Sequence, residues 1–136
     1  MDSIKVTRPV TVKVKVTENF KMKMASEIQN TITKLEVELK QLDFHEKRML
    51  GELEKHNPQG LQAAKAHIQE QREKRINTKN QLFAKLKEIG KWTLGSEVIQ
   101  GTVDSIGEIK VGDKWQDVFG VELVLCDDVV VEIRNK

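Results

Sequence analysis

Apolar and polar residues alternate through residues 10–16 of "RPVTVKVKVTENF", the period of a half-buried β-strand. From Met22 onward the period becomes a heptad. Ile28, Ile32, Leu35, Leu39, Leu42, Glu46, Met49 and Leu53 follow at steps of 4-3-4-3-4-3-4, a coiled-coil seam with one charged interruption. "NPQG" at 57–60 ends the run, since Pro58 lacks a donor and disfavours helix before it, and Gly60 permits a sharp turn. A second helical run, from about Leu61 to Lys91, carries Ile68, Leu82, Leu86 and Ile89. The short connection predicts an antiparallel hairpin about 45–55 Å long. After "KWTLG" the alternation returns, and residues 98–106, 108–111, 118–125 and 129–134 read as four strands. "VGDKW" is a turn signal, "CDDVV" a two-residue hairpin around Asp127 and Asp128, and Gly101 and Gly107 mark bulges or bends.

A lone N-terminal strand would leave its backbone N–H and C=O groups unpaired. A helical hairpin returns the chain to its base, bringing Phe20 near Trp92 and the first strand to the C-terminal ones. The predicted fold is α+β: a small five-stranded antiparallel sheet or barrel, split by an inserted antiparallel coiled-coil helical hairpin. Its parts are the first strand (1–19), the hairpin (20–92, turn at 57–60) and the remaining strands (93–136). Lys13 and Lys15 are expected to face outward and Val12, Val14 and Val16 inward. So small a β-domain calls for help, and oligomerisation is one common source.

A hairpin folded near residue 58.5 sets side by side residues whose numbers sum to about 118. Leu35 then faces Leu82 or Phe83, Ile32 faces Leu86, and Glu46 faces Arg72 as a register pair. Val37 and Phe44, seven apart, lie off the seam of the first helix, and Ile76 and Phe83, also seven apart, beside that of the second. Apolar residues repeated at such positions point to a packing partner, either a second copy or another protein.

Charge refines this picture. The net +2 divides into +4 over 1–23, −2 over 24–57, +5 over 58–92 and −5 over 93–136. A basic first strand thus meets acidic later strands, and an acidic helix meets a basic one, so the cations have partners within the chain. The alternative is an RNA- or ribosome-associated factor that contacts phosphate through Arg72, Lys74, Arg75 and Lys79 in "QREKRINTK", with Lys5, Arg8, Lys13 and Lys15 as a second strip. No aromatic rings interleave these cations to stack on bases.

Candidate chemistry is sparse. His45 and His56 are eleven apart, and His56 and His67 flank the turn, without the spacing of a helical metal pair. Cys126, the only cysteine, sits in an apolar strand without a nearby His and reads as a structural thiol in a reducing compartment. Asp113, Asp117, Asp127 and Asp128 all fall at turns, where Asp serves backbone geometry. No P-loop, dinucleotide fingerprint or nucleophile elbow occurs, so neither catalytic residues, a cofactor nor a metal is expected. The start lacks an apolar signal segment and no run is long enough to span a bilayer, so the expected location is the cytoplasm, without membrane.

"RPVTVKVKVTENFK", "LGSEVIQGTV", "VGDKW" and "VELVLCDDVVVEIR", around a charged helical hairpin, resemble the YlqD proteins of bacteria, in the form seen in cyanobacteria. The family is uncharacterised. In some bacteria its genes lie near ribosome-maturation genes, so the resemblance implies a link to RNA or ribosome biology by association only. It carries no catalytic or ligand residues over to this chain. Relatives tend to have Asp-Gly where this chain has Asp127-Asp128. The expected function is a non-enzymatic binding or assembly protein whose hairpin meets a protein partner or a second copy through Val37, Phe44, Ile76 and Phe83.

Overall fold

A computed structural model describes residues 1–56 and 58–135. They fall into two compact units, Met1–Met22 with Trp92–Lys136, and Lys23–Lys91. The first is built on four strands, β1 (Ser3–Lys15), β2 (Glu97–Lys110), β3 (Val121–Cys126) and β4 (Val129–Asn135), in the order β2-β1-β3-β4. β1 is therefore an interior strand. It pairs antiparallel with β2 from Ser3 opposite Lys110 to Lys15 opposite Glu97, and parallel with β3 from Thr11 to Val14. β3 and β4 form an antiparallel hairpin.

The architecture is α+β, with two corrections to the expected sheet. It has four strands rather than five, and it is mixed rather than antiparallel. Residues 98–106 and 108–111 merge into one strand through Gly107. A Cβ at Gly107 would stand 3.1 Å from Arg8 Nε, so the glycine makes room for Arg8 instead of ending the strand. The 118–125 run is divided, because Trp115–Phe119 forms a short helix (α3) and pairing begins only at Val121. Through α3 the chain passes from β2, on one side of β1, to β3 on the other. β2 and β3 run oppositely, so one of them must lie parallel to β1. Arg8 secures this crossing by donating from Nε to Ser105 Oγ (3.2 Å) and from Nη1 to the Val118 carbonyl (2.7 Å). A bulge does form near Gly101: Val12 faces Gly101 and Lys13 faces Ile99, leaving Gln100 as the extra residue.

Val10, Val14, Val16, Val118 and Val124 are buried in this unit. Rings of Phe20 and Trp92 stack with centroids 6.0 Å apart. Asp127 and Asp128 take φ values of 48° and 66°, the two left-handed positions of a type I′ hairpin turn.

The second unit contains most of two long helices, α1 (Glu18–His56) and α2 (Leu61–Lys91), with a 3-10 turn at Pro58–Gly60 before α2. Asn57, the first residue of the expected 57–60 turn, lies outside the described residues. Ile32, Ile68 and Ile89 are buried. Ile28, Leu35, Leu39, Leu42, Met49, Leu53, Leu82 and Leu86 are half-buried.

Candidate interaction surfaces

Among the described residues four ion pairs join the two helices. Arg72 Nη2 lies 2.7 Å from Glu46 Oε2 and 3.0 Å from Asp43 Oδ1. Arg75 Nε lies 3.0 Å from Glu38 Oε2, and Lys79 Nζ lies 3.5 Å from Glu36 Oε1. Partner numbers fall on α1 as they rise on α2. The hydrogen bond to Glu46, with a further one to Asp43, holds the Arg72 guanidinium pKa above its ordinary value. Lys74 lies 3.4 Å from Glu70 one turn earlier on α2. Each of the four cations considered for RNA contacts thus has a carboxylate beside it, at exposed or half-exposed positions where such pairs contribute little to stability.

The apolar positions off the seam are all exposed. Phe44 is 70% exposed, Val37 49%, Phe83 41% and Ile76 39%. Lys79 Nζ stands 5.9 Å from the Phe83 ring centroid, within cation–π range.

In the sheet unit, opposed residues share a face, and one face carries a charge from every strand. Lys13 Nζ of β1 lies 2.7 Å from Glu122 Oε2 of β3, and Arg134 Nη2 of β4 lies 3.7 Å from the same oxygen. Arg134 also donates to Glu97 of β2 and lies 3.5 Å from Glu132 Oε2. Glu122 is buried (4% exposed), and Lys13 is mostly covered instead of pointing into water. A buried carboxylate needs such cations, since unpaired it would be strongly disfavoured. The Arg134 hydrogen bond holds Glu97 below the usual carboxylate range, and Glu97 in turn raises Arg134. Sequence reading anticipated basic and acidic strands meeting but did not identify this set, because membership depends on the register of four strands.

The sheet unit also presents exposed apolar groups, among them Ile99, Ile106, Val129, Val130, Val131 and Ile133. Trp115 is 68% exposed while stacked on Phe119 at 4.2 Å between centroids, a pair that no sequence periodicity singled out. Among the described residues, seventeen large apolar side chains are exposed and eight apolar ones are buried.

His45, His56 and His67 are exposed helix residues, and Cys126 is a half-buried free thiol. Asp113 Oδ2 accepts from the Lys110 backbone N–H (2.8 Å), closing the turn after β2. Among the described residues no group of three or more His, Cys, Asp or Glu could hold a metal ion. No described helix is long and apolar enough to cross a membrane.

The YlqD family model matches residues 4–134. The chain belongs to the YlqD family. The match runs through the sheet, the helices and the final hairpin, and so covers both units. A similar fold occurs in a crystal structure of a protein of unknown function from Synechococcus sp. WH 8102. It is 24% identical, with a TM-score of 0.88 over 99% of this chain and 100% of that one. At that identity the likeness speaks for the fold alone. No curated protein matches the chain.

Proposed function

We propose that this YlqD protein is a non-enzymatic binding or assembly protein, and that α1 and α2 form an antiparallel coiled-coil hairpin presenting an apolar surface to a second copy or to a protein partner. The observation that carries the reading is the exposure of Val37, Phe44, Ile76 and Phe83, paired at seven-residue spacing on the two helices. Half-buried seam residues and ion pairs bridging the helices in opposite sense support the coiled-coil geometry. Burying a Phe or Val side chain contributes about 1.5–3 kcal/mol, so four such residues offset a substantial part of the cost of association. The RNA reading has less support, because Arg72, Lys74, Arg75 and Lys79 each already lie beside a carboxylate.

Light scattering on the full chain, with and without Phe44→Glu and Phe83→Glu together, tests the self-association arm. The expected result is an oligomeric mass for the native chain and a clear fall for the variant. An unchanged oligomeric mass would mean that this surface is not the assembly interface. Co-purification at low and high salt addresses the other partners, and recovery of RNA at low salt by the native chain would favour the phosphate-binding reading.

A further inference from the structure

β4 is the last strand in the order β2-β1-β3-β4, so among the described residues one side of its backbone has no neighbouring strand. Such an edge is a template for another chain unless something blunts it. The outer edge of β2 is interrupted by the bulge at Gln100 and by Gly101 and Gly107. β4 has a bulge of its own at Val131, but residues 132–135 beyond it pair regularly, it has no Pro, Gly or Lys, and Val130, Val131 and Ile133 are exposed, Ile133 by 69%. We propose that a second copy of this chain adds to this edge, β4 against β4, antiparallel, with Ile133 on the two-fold axis.

The register follows from faces and charges. In a continuous sheet, strands related by a two-fold axis oppose residues with a constant number sum, and opposed residues share a face. Within the subunit Leu123 faces Ile133 and Leu125 faces Val130, so Ile133 and Val130 share one face. Glu122 faces Arg134, Val124 faces Glu132 and Cys126 faces Val129, so Arg134, Glu132 and Val129 share the other. Val131 is the bulged residue between them. An axis at Val131 would oppose Val130 to Glu132 and Val129 to Ile133, residues of opposite faces, and is excluded. An axis at Glu132 sets two carboxylates against each other, and one at Arg134 sets two guanidinium groups together. An axis at Ile133 opposes the two isoleucines and places Glu132 of each copy against Arg134 of the other. Only this register, among those centred on 131–134, is complementary in both charge and face. Glu132 Oε2 already lies 3.5 Å from Arg134 Nη1 of its own strand, so the two charges are at the face where the second copy would meet them. This contact is separate from the helical surface and names a second copy as its occupant.

The test is disulfide trapping in a Cys126→Ser background, in the otherwise native chain and with Phe44→Glu and Phe83→Glu added. Directly opposed residues of antiparallel strands have Cα atoms about 4.5–5.5 Å apart, within disulfide range. Under mild oxidation by glutathione disulfide, Ile133→Cys is expected to give covalent dimers in both backgrounds, and Val130→Cys to give few. Glu132→Lys, which opposes like charges twice, is expected to weaken dimerisation about tenfold or more. Absence of Ile133→Cys dimers while circular dichroism shows a folded chain would overturn the proposal. So would equal trapping at Val130, or no effect of Glu132→Lys. Running both backgrounds separates failure of this edge from failure of the helical surface.

Discussion

Thr17 serves two elements through one hydroxyl. Its Oγ1 accepts from the Phe20 backbone N–H at 3.0 Å, the N-cap contact of α1, and donates to Asp127 Oδ1 at 2.7 Å. The start of the helix is thereby tied to the β3–β4 turn, and the left-handed Asp127 gains a partner that offsets part of its conformational cost. Thr17→Ala is expected to lower stability by about 1–2 kcal/mol, read as a lower urea midpoint at unchanged m-value, while Thr17→Ser stays close to native. The cap side of this role is local chemistry that a sequence can carry. The Asp127 side spans 110 positions and depends on how β3 and β4 meet β1. Gly107 shows the same division: its place in an alternating run is visible, but its reason is the side chain of Arg8, two residues along β1 from its partner Val6, which lies over it.

Among the elements, the strands are joined by charge as well as by backbone pairing. Glu97 of β2 is held below its ordinary pKa of 4.5 by Arg134 of β4, with Lys13 and Lys15 of β1 adding to the effect. A carboxylate depressed in the folded state binds protons more readily when unfolded. Its contribution is therefore fully present above the unfolded value and lost as pH falls through the lower folded one. Sheet stability is expected to decline on the acid side of pH 4.5, and Glu97→Gln to flatten that part of the profile, as urea midpoints across pH would register. Equal acid slopes in the two proteins would count against the assignment. α1 was legible because its heptad repeats over seven steps, and α2 from the turn before it and the helical spacing of Leu82, Leu86 and Ile89. α3 was not, since "WQDVFG" is too short to display a period and adjoins a genuine strand.

For the whole molecule, the interior position of β1 matters most. β2 has β1 as its sole strand neighbour among the described residues, so a chain without β1 leaves β2 unpaired and separates it from β3. Deleting residues 1–16 is expected to abolish cooperative unfolding of the sheet while leaving most of the helical circular dichroism signal. A soluble fragment of residues 93–136 that unfolds cooperatively would contradict this. The strand pairs β1–β2 and β1–β3 close over the entire helical unit, a long loop whose closure entropy must be offset before pairing stabilises anything.

Periodicity and turn residues, read along the sequence, determined that a strand precedes two long amphipathic helices and that further strands follow. They also determined that the orphan first strand must join those at the end. These properties are local, or follow from the requirement that backbone groups be paired. Tertiary structure alone decided that β1 lies inside the sheet, that β3 runs parallel to it, and that Glu97, Lys13, Glu122 and Arg134 converge. Strand order and register are set by which distant residues pair, and an alternating run is compatible with either neighbour, either direction and several registers.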